Sequence, residues 1–174
     1  RPYHFAVCAD VIGDHGWRKL LWPGYQEGRT PPGEGYRRAI VALIDIFTRH
    51  RIPVLQAEGY EADDFVAALV RRARRCGLRV VILSKDQDFW QLFEDDDPDG
   101  VVALDVASGE VFTVDTCRKK YGVPPSQLTA LMALMGDCDE APGIEGIGKK
   151  HAAELLVQYG TLERVLARPS WESG

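Results

Sequence analysis

The sequence predicts an α/β fold, a doubly wound and mostly parallel sheet with a C-terminal helix-hairpin-helix subdomain. Three features carry that reading. Short apolar stretches alternate with longer segments of helical spacing. The run Arg79 to Leu83 (RVVIL) is almost wholly apolar and β-branched, as in a parallel strand covered on both faces. A Gly-x-Gly turn, Gly146-Ile147-Gly148, leads into an apolar helix near the end.

Taken in order, His4 to Ala9 reads as a strand ending at Asp10. Residues 11–33 hold Gly13, Gly16, Pro23, Gly24, Gly28, Pro31, Pro32 and Gly33, which predicts a long loop of the functional kind. From Glu34 to Arg51, the residues Tyr36, Ala39, Ile40, Leu43 and Phe47 recur at helical spacing, and Ile52 to Leu55 follows as a second strand. Glu61 to Cys76 is another amphipathic helix through Ala62, Phe65, Val66, Leu69 and Ala73, closed by Gly77. Val101 to Leu104 and Glu110 to Thr113 read as strands around the turn Ser108-Gly109, and Val114 to Tyr121 and Pro125 to Met135 as helices. Pro142 to Ala167 reads as two or three short helices joined by glycine turns. The expected division is a core over residues 1–135 and a hairpin subdomain over 136–174.

With 174 residues, 45% hydrophobic and 27% charged, the chain buries a sizeable core, and disordered and low-complexity classes are excluded. No apolar run approaches the roughly 18 residues needed to cross a bilayer, so a cytoplasmic monomer without a membrane partner is expected. The sequence opens at Arg1, without Met and almost within a strand, as a segment cut from a longer chain would. Twenty-one basic against 26 acidic residues, net −5, argue against a coat held on nucleic acid by bulk charge. Cys8, Cys76, Cys117 and Cys138 are far apart and lack zinc-ligand spacing, which predicts reduced, mostly buried thiols. His4, His15, His50 and His151 share no helical spacing and read as structural or surface residues.

The acids are more informative. In open parallel sheets ligands bind beyond the carboxyl ends of the strands. Asp10 ends the first strand, Glu61, Asp63 and Asp64 open the helix after the second, Asp86 and Asp88 follow the third, and Asp137 and Asp139 follow the helix through Leu131 and Met132. Singly, each has a plain role as a helix cap or dipole partner. Converging, they repel by about 4 kcal/mol per close pair at an effective dielectric near 20 unless a cation intervenes. Mg²⁺ or Mn²⁺ suits such oxygen donors. The run Glu94-Asp95-Asp96-Asp97 lies beside Pro98-Asp99-Gly100 and reads instead as a solvated turn.

Gly146 and Gly148 at a helix start expose backbone N–H groups suited to phosphate, and Lys149 and Lys150 add charge beside them. Basic residues also gather at Arg37-Arg38, Arg49-His50-Arg51 and Arg118-Lys119-Lys120, while Arg71, Arg72, Arg74 and Arg75 read as a solvated helix face. In the loop, Trp17-Arg18-Lys19, Trp22, Tyr25 and Arg29 interleave aromatics with cations, the pattern that grips unpaired strands.

With these residues assembled, the chain resembles the bacterial and phage 5′-nuclease family, the flap endonucleases and 5′–3′ exonucleases similar to the N-terminal domain of DNA polymerase I. The resemblance rests on GYEADD at Gly59 to Asp64, SKDQDFWQL at Ser84 to Leu92, YGVPPSQ at Tyr121 to Gln127 and LMGDCDEAPGIEGIGKKHAAELL at Leu134 to Leu156. It implies a PIN-like nuclease core in which Asp10, Glu61 and Asp63 serve one Mg²⁺ or Mn²⁺ ion and Asp63, Asp86, Asp88 and Asp137 a second, with Asp64 in support. Two such ions activate water and stabilise the leaving oxygen at a phosphodiester. It further implies DNA as partner, as a 5′ flap, a branched or nicked duplex or an RNA primer on DNA. Gly146, Gly148, Lys149 and Lys150 then contact the duplex, with K⁺ at the hairpin, and Arg18, Tyr25 and Arg29 receive the 5′ strand, Arg18 beside the catalytic acids. The chain departs from the family at four places. The family's first metal-binding Asp falls on a strand before this sequence, its Asp-Lys-Asp is here Asp86-Gln87-Asp88, and its arch Lys is Gln26. The loop from Asp137 to Pro142 is one residue short, which leaves Asp139 or Glu140 as the last ligand. Two other functions compete: a nuclease-deficient module that recognises branched DNA, and a Mg²⁺-dependent phosphohydrolase of small esters.

Overall fold

The computed structural model describes residues 4–11, 16–137 and 141–167, so Asp139, Glu140, Cys138 and His15 lie outside the described residues. These residues form two compact units, Arg1–Leu69 and Val70–Gly174.

In the first unit, β1 (Val7–Cys8) pairs in parallel with β2 (Val54–Leu55), the predicted strands in shortened form. Between them run α1 (Gly16–Leu21) and α2 (Glu34–Arg49), and α3 (Ala62–Arg75) starts here and ends in the second unit. Two expectations change. The stretch expected as loop contains the helix α1, because Trp17 to Leu21 form an unbroken set of helix-compatible residues between Gly16 and Pro23. The half-covered stripe of α2 is Ile40, Ile44 and Phe47, whereas Tyr36 and Leu43 are 61% and 46% exposed. The apolar residues of that helix are too numerous for one face, so spacing alone did not select the covered one.

Among the described residues the buried core lies in the second unit, from Val70 to Val165. There β3 (Val80–Leu83) pairs in parallel with β4 (Val101–Leu104), which pairs antiparallel with β5 (Val111–Phe112). The parallel pairings are those of an α/β protein. β3 was expected to be covered on both faces, but Ile82 is buried while Val81 and Leu83 are 55% and 50% exposed, so the strand alternates. An apolar run shows what a strand tolerates and does not fix which faces are covered.

α4 (Val114–Tyr121) starts at Thr113, whose side chain and that of Thr116 form a reciprocal capping box. A 3₁₀ turn, Pro125–Gln127, then leads into α5 (Leu128–Met135). The short pair β6 (Gly136–Asp137) and β7 (Ala141–Pro142) is followed by α6 (Lys149–Tyr159) and α7 (Leu162–Leu166). Around Trp90, the rings of Phe112, Tyr121 and Phe93 lie 5.1, 5.9 and 6.4 Å away, and Leu131, Leu134, Leu155 and Leu156 are buried between the helices. Each such aromatic pair adds about 1 kcal/mol beyond its area.

The acidic turn is not simply solvated. Arg74, expected on an open helix face, is 17% exposed and pairs with Glu94 at 2.7 Å and with Asp97, while Asp95 accepts a bond from Ser126 at 2.5 Å. Contiguous acids repel, and a cation brought from α3 relieves that repulsion, a long-range pairing that local composition does not show. Cys117 is buried and Cys8 half-buried, but Cys76 is exposed, which corrects the expectation for that thiol. Among the described residues no helix is long and apolar enough to cross a membrane.

Candidate active site

In the first unit the acids are held by backbone donors and by α1. Asp10, just after β1, accepts from the Ala62 N–H through Oδ1 at 2.6 Å, so it caps the start of α3. Asp64 accepts from the Glu61 N–H at 3.0 Å. Gly16 has φ +50°, and a Cβ there would sit 2.1 Å from the Gly59 carbonyl oxygen, so only glycine lets α1 begin against the turn that precedes α3. That approach delivers Arg18, whose two terminal nitrogens each donate to Asp64 at 2.9 Å while its Nε lies 3.6 Å from Glu61. Tyr25 donates to Glu61 at 2.9 Å, and Gln26 Nε2 reaches Glu61 at 3.4 Å and the Tyr25 hydroxyl oxygen at 3.2 Å.

The electrostatics follow from this geometry. The bidentate Arg18 guanidinium holds the Asp64 carboxyl below its usual range, and Arg18 is itself made a weaker acid by the hydrogen bond to Asp64 and the charge of Glu61. Burial raises the Cys8 thiol, with the charge of Asp63 adding to it. Asp63 itself is exposed in the first turn of α3, and Arg29 is exposed. Arg18 and Tyr25, read from sequence as strand-gripping residues, are thus turned inward onto Glu61 and Asp64.

In the second unit, Asp86 caps the 3₁₀ turn Gln87–Leu92 by accepting from the Asp88 N–H at 3.0 Å, and its own N–H bonds Ser84 Oγ at 3.0 Å. Asp88 and Asp137 line one small cavity of about 180 Å³ with Gln91, Thr129 and Met132. Asp137 gets there through an unusually close backbone crossing. A Cβ on Gly143 would lie 2.2 Å from the Met135 carbonyl carbon and 2.3 Å from the Gly136 nitrogen. The Tyr121 hydroxyl is held above its ordinary value by burial and by the charges of Asp88, Asp137 and Asp86. Gly146 has φ +79°, Gly148 is the residue before α6, and Lys149 and Lys150 are exposed in its first turn, Lys150 lying 4.0 Å from Glu154. Asp139 lies outside the described residues.

The structure therefore gathers Glu61 and Asp64 in one unit, and Asp88 and Asp137 in the other. Among the described residues no three Asp, Glu, His or Cys side chains converge closely enough to hold an ion between them. In the first unit Arg18, Tyr25 and the Ala62 N–H occupy oxygens of Asp64, Glu61 and Asp10. Sequence reasoning named Gln87, Lys120 and Tyr121 separately but missed that the three meet beside Asp86 and Asp88. Gln87 accepts from the Tyr121 hydroxyl at 2.6 Å and from Lys120 Nζ. The signal available was the basic run Arg118-Lys119-Lys120 at the end of a helix, with Gln87 between two acids.

Parallel strand pairs followed by exposed carboxylates, Asp10 after β1 and Asp86 after β3, define a class, the α/β proteins whose ligands bind beyond the strand ends. Residues 1–122 match the family model of the 5′-3′ exonuclease N-terminal resolvase-like domain, and residues 123–173 that of the 5′-3′ exonuclease C-terminal SAM fold. The chain belongs to the 5′-3′ exonuclease family. It is 35% identical over 167 residues to a DNA polymerase I of Bacillus caldotenax, an alignment covering 95% of this chain and 19% of the polymerase. It is 33% identical over 170 residues to the flap endonuclease Xni of Cronobacter sakazakii, covering 97% of this chain and 66% of that protein. The chain thus spans about a fifth of the one relative and just under two thirds of the other. Its fold is also that of the T5 D15 protein co-crystallised with metal ions, with a TM-score of 0.81, 22% identity and coverage of 98% of this chain and 67% of that one.

Proposed function

We propose that this chain is the phosphodiester-cleaving part of a metal-dependent 5′ nuclease acting on DNA with a 5′ flap, branch or nick, including RNA primers paired to DNA. The observation that carries the reading is the set of exposed, oxygen-only donors in both units, Asp10 after β1 and Asp63 in the first turn of α3 in the first, Asp86 and Asp88 after β3 and Asp137 in β6 in the second. The set fits a hard cation, since it lacks sulfur and imidazole, and Asp88 and Asp137 share the walls of one cavity. The first unit's acids would hold one Mg²⁺ or Mn²⁺ and the second unit's another, with Asp139 or Glu140 completing the latter. Bound there, the ions would supply a hydroxide nucleophile and charge neutralisation at the phosphate.

The chain's own residues do the rest. Arg18 and Tyr25 fix the orientation of Glu61 and Asp64 by donating to them, and the Arg18 guanidinium holds the Asp64 carboxyl below its usual range. Asp86 is fixed by its turn, as a capping carboxylate has little freedom to swing. Lys149 and Lys150, beside Gly146 and Gly148, supply the duplex-binding end as a helix-hairpin-helix, with K⁺ as its ion, and the α/β core runs over residues 1–135 with that subdomain over 136–174. Lys19 and Arg29 are exposed cations of the loop, and Arg29 would meet the entering 5′ strand. The test is cleavage of a 5′-labelled flap duplex with Mg²⁺ or Mn²⁺. Product is expected from the parent chain and lost in Asp86→Ala, while DNA binding persists. Tight flap binding without product under either ion would make the chain a binder, and hydrolysis of a small ester but not DNA would make it a phosphohydrolase.

A further inference from the structure

Gln87 stands between Asp86 and Asp88 at the start of the 3₁₀ turn, and its Oε1 is claimed by two donors from the end of α4, the Tyr121 hydroxyl at 2.6 Å and Lys120 Nζ. The ammonium of Lys120 lies 5.4 Å from the centre of the Tyr121 ring and 5.6 Å from that of Trp90. Lys149, from the start of α6, places its own ammonium 6.0 Å from the same Tyr121 ring. Lys120, Tyr121 and Lys149 edge an open groove of about 490 Å³ between α4 and α6, with Ala153 and Val157 on its apolar wall.

The choice of tether matters. A lysine pinned in one geometry gives up about 1.5–2 kcal/mol of rotamer freedom. Held on a carboxylate, its charge would be cancelled. Held on a neutral amide, it keeps a full positive charge at a fixed place, and among the described residues neither Lys120 nor Lys149 forms an ion pair with an acidic side chain. One ammonium tethered on an amide and a second beside the same aromatic ring, at the edge of an open groove, suit an anion with more than one charge along its length.

We infer that Lys120, tethered by Gln87 and set beside Lys149 across the Tyr121 ring, binds backbone phosphate of a nucleic-acid strand running from the start of α6 to the acidic turn at Asp86 and Asp88. The inference rests on the nuclease reading and adds to it the path of the strand. It also makes Gln87 a positioning residue, the neutral anchor of a cation that arrives from another helix.

The experiment measures binding of a fluorescent nicked duplex with a 5′ flap in Ca²⁺, across a salt series, for the parent chain and for Lys120→Ala, Lys120→Gln and Lys120→Arg. Lys120→Ala and Lys120→Gln should each weaken binding about tenfold and reduce the slope of log affinity against log salt by about one. Lys120→Arg should stay within about threefold of the parent, and thermal melting should be the same in all four, since Lys120 is exposed. Adding Lys149→Ala to Lys120→Ala should lower the slope by about one more. Unchanged affinity and slope in both Lys120→Ala and Lys120→Gln, with a parent chain that binds the flap, would overturn the inference alone. A parent chain with no affinity for the flap would overturn the nuclease reading, and the inference with it.

Discussion

Removing Arg18 tests how the first unit holds its acids. Arg18 and Asp64 are 21% and 26% exposed and joined by two bonds of 2.9 Å, whereas the pair Arg38–Glu34 on α2 is 78% and 70% exposed with one contact of 3.2 Å. Coulomb attraction at an effective dielectric near 20 is about 4 kcal/mol at such distances, and desolvation and ordering of both side chains take back roughly half. The expected net coupling for Arg18 and Asp64 is therefore about 2 kcal/mol, in the range of charge-assisted hydrogen bonds. For the exposed pair it is about 0.3 kcal/mol. Urea unfolding of the parent, Arg18→Ala, Asp64→Asn and the double variant gives the coupling directly, and the cycle cancels the loss of the Arg18 contact with the Trp17 ring, 4.7 Å away. The same cycle on Arg38 and Glu34 is the internal control. A coupling below about 0.5 kcal/mol for Arg18 and Asp64 would show that Arg18 does not fasten these acids.

Gly143→Ala should destabilise the second unit by about 3 kcal/mol in chemical unfolding, because its new Cβ would fall 2.2 Å from the Met135 carbonyl carbon. A loss under about 1 kcal/mol would mean that the crossing which places Asp137 is pliable. Cys117, pushed up to about 11 by burial and then by Asp95, contributes stability that is complete below about pH 9 and is lost as pH rises through 11. The alkaline fall should therefore be shallower in Cys117→Ala than in the parent, and equal slopes would remove burial as its cause. In native protein at pH 8, a thiol reagent should modify exposed Cys76 rapidly and Cys117 only on unfolding. Arg74→Ala should cost about 2 kcal/mol, since it strips Glu94 and Asp97 of a shared partner, whereas Arg71→Ala on the exposed face should cost under about 0.5 kcal/mol.

Where local pattern governs, the fold was legible in the sequence. α4 begins and ends where its spacing and caps say, and β4 and β5 flank the turn Ser108-Gly109 as expected. It failed where distant groups decide. The helix at Gly16–Leu21 hides among glycines and prolines because its docking depends on Gly59, far along the chain. The covered stripe of α2 and the exposed face of β3 depend on which neighbours arrive, which apolar content does not encode. At the proposed site, the positions of the acids along the chain, after β1, at the start of α3 and after β3, were readable from the order of elements. Their partners were not: Arg18 turns onto Asp64, Arg74 onto Glu94 and Lys120 onto Gln87, each across a separation that no periodicity spans.

The central claim is that the carboxylates at these strand ends exist to hold divalent cations. Mn²⁺ binding followed by electron paramagnetic resonance tests it most directly, since free and bound Mn²⁺ are read separately. The account predicts saturable binding displaced by Mg²⁺, weakened at least tenfold in Asp86→Ala and again in Glu61→Gln. A signal that stays that of free Mn²⁺ throughout, or binding unaffected by either substitution, would contradict it.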